Sequence, residues 1–467
     1  MRPVVSVGEM KEIDAEAQQR VPLEQLVERA GAAVARSALA GLAGAYGQRV
    51  VVVAGKGHNG DDGRVAAARL RRRGVRVAVV EAAEAEGQLL SPCDLVIDAA
   101  YGTGFRGRYR APAAPPGAAV LAVDIPSGVN GDTGEADDDA VRADATVTFA
   151  ALKPGLLLGQ GPERSGTVTV ADIGLDVSRA RTHLVEDADV SGQLPPRPRE
   201  AHKWQTAVYV AAGSPGMRGA AELCSRAAMR AGAGMVRLGM PGAAPSDLPA
   251  SEAVARALAP ADWAGEVLAE LDRFRVLVVG PGLGRGEAAR EAVRRLVAEA
   301  PVPVVVDADG LNLLGRAEDV ALLAKGRTGP LLLTPHAGEF SRLAGEAPGA
   351  DRLASARGLA RRASAVVLLK GSTTVVASPE PEGRVLLSAS GSARLATAGT
   401  GDVLSGVIGA FIAQGLDTFV GAALAAHTHG GASRLGHDRG LVAADLLHLL
   451  PEWLSAVTGG GVGGLDG

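Results

Sequence analysis

At 467 residues the chain is long enough for two or more domains of roughly 100–200 residues each, and 47% hydrophobic but only 3% aromatic residues call for aliphatic cores. A formal net charge of −4, with no like-charge block beyond Arg71–Arg73 and Asp137–Asp139, argues against nucleic acid or a membrane surface as partner. Cys93 and Cys224, far apart, exclude a disulfide framework and a cysteine metal motif, and no apolar run is long enough for a signal peptide or a membrane span, so a cytoplasmic protein is expected.

Hydrophobic runs in the first half predict strands at Arg49–Ala54, Val75–Val80, Asp94–Ala99, Ala118–Asp124 and Ala145–Ala150, with helical patterns at Leu23–Leu42 and Gly63–Arg73. Such alternation makes a parallel sheet covered on both faces. Its ligand crevice lies at the carboxyl ends of the strands. Gly55-Lys56-Gly57-His58-Asn59-Gly60 fits G-x-G-x-x-G, and Glu81 closes the next strand, which alone suggests a dinucleotide-binding loop. Asp61 and Asp62 oppose it, because they set carboxylates where a pyrophosphate belongs; they suit a cation, sugar hydroxyls or a bare helix dipole. Asp98 opens into Tyr101–Gly107, and Asp124 opens into Ile125-Pro126-Ser127-Gly128. Each aspartate alone could cap its loop; three acidic strand ends together favour a site.

A proline-rich connector, Gln193–Arg199, follows, and the expected organisation is two α/β domains, 1–194 and 200–460. In the second series, strands are predicted at Ala207–Ala212, Val276–Val279, Val302–Asp307, Leu331–Thr334 and Ala365–Lys370, with a hairpin near Thr373–Leu387 and a disordered glycine-rich tail, Thr458–Gly467. Polar strings again follow the strands: Gly280–Gly284, Asp307–Asn312, Thr334–Phe340 and Lys370–Thr374. Asp307 and Asp309 could be loop caps, and His336 a satisfied loop histidine.

The most informative stretch is Ala396-Thr397-Ala398-Gly399-Thr400-Gly401-Asp402-Val403-Leu404-Ser405-Gly406. A glycine turn entering an apolar helix presents free N–H groups and a positive helix end, a natural phosphate site. Asp402 would repel phosphate. It makes sense where a hydroxyl must lose a proton beside that phosphate, as in phosphoryl transfer; the plainer reading is an N-cap.

The first-half motifs are similar to those of the NAD(P)HX epimerases: Gly55–Gly63 to a Gly-x-Gly-Asn-Asn-Gly-Gly-Asp-Gly loop, Asp98–Gly107 to Asp-x-x-x-Gly-Thr-Gly-x-x-Gly, and Asp124–Gly128 to Asp-Ile-Pro-Ser-Gly; Glu9-Met10 and Ile13-Asp14 also fit. The resemblance implies a Rossmann-like fold and interconversion of the R and S epimers of hydrated NADH and NADPH. It implies a potassium site at Asn59, Asp98 and Ser127. Substrate contacts are implied at His58, Asn59, Gly60, Asp61 and Asp62, at Gly102, Thr103, Gly104, Phe105, Arg106, Gly107 and Arg108, and at Asp124, taken as the catalytic carboxylate. His58, Asp61 and Arg29 depart from the family pattern, while Lys153 stands where the family has a lysine.

The second-half strings, from Asp-Ala-Asp-Gly-Leu-Asn through Thr-Pro-His-Ala-Gly-Glu to Ala-Gly-Thr-Gly-Asp, together resemble the ADP/ATP-dependent NAD(P)HX dehydratases of the ribokinase-like superfamily. The resemblance implies contacts of Ala220, Gly284, His336 and Asp402 with the hydrated dinucleotide, Asp402 being the catalytic base. It implies contacts of Lys370, Gly371, Ser372, Thr373, Thr374 and Gly401 with ADP or ATP, accompanied by Mg²⁺. Trp204 stands where glycine would usually follow His202-Lys203. The order epimerase then dehydratase matches a known fused form, and a homo-oligomer is expected. The alternative is a ribokinase-like small-molecule kinase with a noncatalytic N-terminal binding module.

Overall fold

A computed structural model describes residues 1–42, 44–381 and 383–459. The chain divides into two compact units, Arg2–Thr182 and, with Met1, His183 onward. The division falls ahead of the proline-rich stretch. The helix Asp187–Gln193 belongs to the second unit, where it packs on the helices Thr418–Ser433 and Ala443–Val457 with Val190 fully buried. The glycine-rich tail from Gly460 lies outside the described residues.

The first unit is built on a six-stranded parallel sheet in the order Arg76–Glu81, Arg49–Ala54, Leu95–Ala99, Ala119–Val123, Ala145–Phe149, Thr167–Ala171. The run Arg-Val-Val-Val-Val-Ala is apolar at successive positions because both faces are covered. Val50, Val52 and Ala54 enter one core, and Val51 and Val53 the other. From Arg49–Ala54 the chain adds one strand to one side, then returns to build outward on the other, so the sheet is doubly wound. The loops after Ala54 and Ala99 flank that switch point and are tied by Gly55 N–H donating to Ala99 O at 3.0 Å.

The helix predicted from Gly63 starts at His58 and runs to Arg72. Its first turn lies against the strand end: a Cβ on Gly60 would come within 1.9 Å of Gly55 O. The glycine loop is therefore mostly the opening turn of a helix. The edge strand Thr167–Ala171 has alternating Thr and Val rather than an apolar run, which is why run length alone passes over it.

The second unit carries strands in the order Val385–Ser388, Thr374–Ala377, Val366–Leu369, Leu331–Leu333, Val304–Val306, Val276–Val279, Ala207–Ala211, Met235–Pro241, Val254–Leu258. The first two form the expected antiparallel hairpin, and the rest are parallel. Met235–Pro241 and Val254–Leu258 carry Arg237, Gly239 and Arg256, so they too lack an apolar run. One face of the sheet is covered by the helices Arg218–Arg230, Thr400–Ala413, Thr418–Ser433 and Ala443–Val457. Thr400–Ala413 is apolar all round because it is enclosed; a Cβ on Gly406 would lie 2.2 Å from Cys224 O, so glycine lets Arg218–Arg230 approach. None of the helices among the described residues is long and apolar enough to cross a membrane.

Candidate active sites

In the first unit a cavity of about 490 Å³ opens at the switch point. Three carboxylates line it. Asp14 comes from the helix Val7–Gln18, whose start is fixed by a capping box: Ser6 Oγ accepts from Glu9 N at 3.2 Å, and Glu9 Oε2 accepts from Ser6 N at 2.8 Å. Asp62 follows the first turn of His58–Arg72, and Asp124 follows its strand in the left-handed region at φ 66°. Asp98, at the end of Leu95–Ala99, lines a separate, smaller cavity with Val53, Val96 and Ala140.

Lys153 is not a surface residue. It is 1% exposed, and its ammonium is 2.9 Å from Asp124 Oδ1 while donating to Thr148 Oγ1 (2.9 Å), Phe149 O (2.9 Å) and Ala151 O (3.1 Å). Asp124 also accepts from Thr148 Oγ1 at 3.0 Å. The other acids have no such partner. Burial, with the Asp124, Asp61 and Asp14 carboxylates around it, pushes Asp62 up to about 8. Burial and then Asp124 also raise Asp14, with Lys153 pulling the other way. The pocket thus holds a carboxylate paired with a buried lysine beside one that burial and neighbouring carboxylates push up to about 8, two acids set apart by environment.

Asp98 is 2% exposed, and burial raises it to about 6 although it accepts hydrogen bonds from Ser127 Oγ (2.7 Å), Ser127 N (2.8 Å) and Ala100 N (3.4 Å). Tyr101 N–H donates to Ser127 Oγ at 2.9 Å. Asn59 lies beside Gly102, whose Cβ would meet the amide at 3.5 Å, and its Nδ2 is buried without a hydrogen-bond partner.

Of the sequence-predicted contacts, His58, Asn59, Asp62, Gly102, Thr103, Gly104, Phe105 and Asp124 line the cavity. Gly60 serves the close helix–strand approach. Asp61 is half-exposed and faces Arg64 at 3.5 Å; Arg106, Gly107 and Arg108 are exposed, with Arg108 on Asp137 at 3.2 Å. Asp14, Tyr101 and Lys153 line the cavity without having been singled out as site residues. Arg29 does not enter it. Its guanidinium donates to Ile173 O at 3.0 Å, pinning the segment that supplies Ile173 and Leu175 to the wall.

In the second unit the polar strand ends converge on the start of Thr400–Ala413, where Gly399 turns the chain at φ 90°. Asp307, 1% exposed, takes the Lys370 ammonium (2.5 Å) and Thr334 Oγ1 (2.7 Å) on Oδ1 and Ser405 Oγ (2.6 Å) on Oδ2. Burial alone would raise its carboxyl, but Lys370 and these donors more than offset that and hold it low. Lys370 Nζ lies 3.5 Å from where a Cβ on Gly401 would stand, over the helix N-terminus. Asp402, in that first turn, has no such anchor. Burial and the Asp307 charge push it up to about 6 against the pull of Lys370. It is a carboxylate poised to accept a proton next to a lysine and a positive helix end.

Around this centre, Asp309 Oδ2 accepts from Gly284 N at 3.0 Å, and Ala220 lies under Gly282, whose Cβ would be 3.0 Å from its own. His336 caps Ala337–Ala344, accepting at Nδ1 from Gly338 N at 2.9 Å, and its Nε2 is 3.4 Å from Glu339 Oε1. Glu339 is buried and raised by burial, with Lys370 drawing it down. Gly371, Ser372, Thr373 and Thr374 follow the Lys370 strand end; Arg352 donates to Lys370 O at 3.0 Å and sits against Gly371. Thr334 and Ser405 were not singled out as site residues; the signal for Ser405 was its place one helical turn after Gly401. Trp204 precedes the strand Ala207–Ala211, at the opposite end from the site, with the Arg273 guanidinium over its ring (4.0 Å) and Phe274 meeting it edge-on (5.7 Å).

Comparison with known proteins agrees with this division. Residues 208–454 match the family model described as NAD(P)H-hydrate dehydratase, and residues 23–88 and 80–155 match that of the YjeF-related protein N-terminus. A bifunctional NAD(P)H-hydrate repair enzyme, Nnr, from Moorella thermoacetica is 37% identical over 518 residues, covering 96% of each chain. The ADP/ATP-dependent NAD(P)H-hydrate dehydratase of Bacillus subtilis, co-crystallised with ATP and Mg²⁺, superposes with a TM-score of 0.51 at 30% identity, covering 58% of this chain and 97% of its own. A ribokinase-like superfamily protein from Enterococcus faecalis, at 21% identity and a TM-score of 0.51 over 59% of this chain and 96% of its own, shares the fold. With the whole length accounted for by one two-part architecture, the chain belongs to the family of bifunctional NAD(P)H-hydrate repair enzymes.

Proposed function

We propose that the chain repairs hydrated NADH and NADPH at two sites: the first unit interconverts the R and S epimers, and the second dehydrates the S epimer with ADP or ATP. The observation that carries the second activity is Asp402, a raised and unanchored carboxylate in the first turn of a helix whose N-terminus also faces Lys370. Hydroxide leaves poorly from C6 of the hydrated nicotinamide ring. The C6 oxygen therefore attacks the terminal phosphorus of the nucleotide, its proton passes to Asp402, and the bond from that phosphorus to the departing nucleotide breaks. The C6–O bond then breaks with phosphate as leaving group and a proton lost from C5, restoring the dihydropyridine. The amides of Gly399, Thr400 and Gly401 meet the charge on the transferred group, and Lys370 meets the nucleotide phosphates. Mg²⁺ arrives with the nucleotide and neutralises phosphate charge.

In the first unit, C6 bears both the ring nitrogen and the hydroxyl, so inverting it requires one of those two bonds to break and re-form on the other face, with a proton leaving one heteroatom and reaching the other. Asp124, paired with Lys153, and Asp62, raised to about 8, supply acceptor and donor within one cavity. Potassium would suit the residues around Asp98. Asp98 is a buried carboxylate raised by its surroundings, Ser127 and Tyr101 bring hydroxyl and carbonyl oxygens, and turning the orphaned Asn59 amide by 180° replaces a stranded donor with a carbonyl oxygen. Asn59, Asp98 and Ser127 would hold it, and it would neutralise the acids and fix the loops in register. We place the chain in the cytoplasm, with its soluble dinucleotide substrates.

The test is to incubate purified chain with mixed R and S hydrate and either nucleotide, following NADH absorbance and phosphate release. The proposal expects both epimers to be consumed with one phosphate per NADH. A stable phosphorylated product without NADH would instead make this a small-molecule kinase.

A further inference from the structure

Given the dehydratase reading of the second unit, on which this inference rests, we propose that Asp307 is a positioning residue for phosphoryl transfer. It fixes the lysine that meets the nucleotide phosphates relative to the helix turn that carries the base. Its carboxylate is a junction of four elements. It stands at the end of Val304–Val306, takes Thr334 from the end of Leu331–Leu333 and Lys370 from the end of Val366–Leu369, and takes Ser405 from inside Thr400–Ala413. Both oxygens are occupied at 2.5–2.7 Å, so Asp307 has little capacity left to receive a substrate proton.

What it does is restrain its neighbours. A lysine is a flexible point charge with large rotamer freedom. Here its ammonium is pinned beside Gly401, one residue before Asp402. An ammonium has three donors, and the one given to Asp307 leaves others for phosphate oxygens. Ser405, which donates to Asp307 Oδ2 at 2.6 Å, stands in the same helix with its Oγ 3.2 Å from Gly401 O, so the same carboxylate holds the turn from the other side.

The experiment is steady-state kinetics of the full chain on S-hydrate with varied nucleotide, for Asp307→Asn, Lys370→Gln and the two together. Asp307→Asn should raise the nucleotide KM about 10–100-fold, the worth of a charge-assisted hydrogen bond, while the hydrate KM stays within about twofold. The acidic limb of the kcat profile should move to lower pH, because Asp402 loses a negative neighbour and keeps Lys370. Since Asp307 acts through Lys370, the doubly neutral chain should have the nucleotide KM of Lys370→Gln alone. If Asp307→Asn does not fold, the neutral pair, which buries no unpaired charge, still carries the test. An unchanged nucleotide KM and limb in Asp307→Asn, or a further rise in the pair beyond Lys370→Gln, would overturn the inference. Wild-type chain that yields no NADH from S-hydrate overturns the dehydratase reading itself, and with it this inference.

Discussion

Both units put aspartates at the carboxyl ends of parallel strands, yet the two groups behave differently. In the second unit the deepest acid, Asp307, has a lysine and two hydroxyls and is held low, which leaves Asp402 as the carboxylate that titrates near about 6. In the first unit the buried Lys153 serves Asp124, and Asp62, Asp14 and Asp98 are all raised. The lesson is that the strand end supplies position only. Whether an aspartate there becomes an anchor, a base, an acid or a cation ligand depends on which cation reaches it.

The sharpest way to break the comparison is to remove the lone base. Asp402→Asn keeps shape and should lower dehydration kcat by about 10²–10⁴-fold with nucleotide affinity nearly intact; an unchanged turnover would reduce Asp402 to a helix cap. Next, Asp98→Ala should cost the epimerase about 10–100-fold and abolish any potassium dependence. A wild-type rate indifferent to potassium, or a crystal grown in potassium salt with no density among Asn59, Asp98 and Ser127, would refute the cation site.

The pH profiles should separate the units by smaller factors. Because Asp402 must be ionised to accept a proton, dehydration kcat should fall about tenfold per pH unit below about 6. A limb at the ordinary carboxylate value would show that Asp402 feels neither its burial nor Asp307. Asp62 offers a stability readout. Its folded carboxyl near about 8 lies above the unfolded 3.8, so the folded chain holds a proton that the unfolded chain has lost between those values, and stability declines as pH rises through that window. Asp62→Asn should remove that decline and stabilise the first unit at pH 8 by on the order of 1–3 kcal/mol; a decline of equal slope in the variant would place the titration elsewhere.

Much of this was legible in the sequence. The runs Arg49–Ala54 and Val276–Val279 and the acids that close the strands identify a doubly wound sheet and its functional edge, because buried parallel strands leave apolar runs and a following loop leaves polar ones. Asp402 was legible because an acid is out of place at a phosphate-binding turn. The edge strand Thr167–Ala171 was not, since one period-two segment carries little signal. The helix start at His58 was hidden by glycines that usually mark loops but here permit close packing. Lys153 reads equally as an aid to proton transfer or a surface lysine until Asp124, Thr148 and two carbonyls close around it, and Asp14 is marked only by the family resemblance of Ile13-Asp14. Those contacts are long-range, and spacing along the chain does not encode them.

The central claim is that one chain has two chemically independent sites, each with its own carboxylate. The direct measurement supplies pure R epimer, or pure S epimer, with nucleotide to the Asp124→Asn chain and follows NADH absorbance. The account predicts NADH from S at nearly the wild-type rate, which also reports that the second unit is folded, and from R only as fast as R epimerises spontaneously. Recovery of NADH from R at the wild-type rate would contradict it.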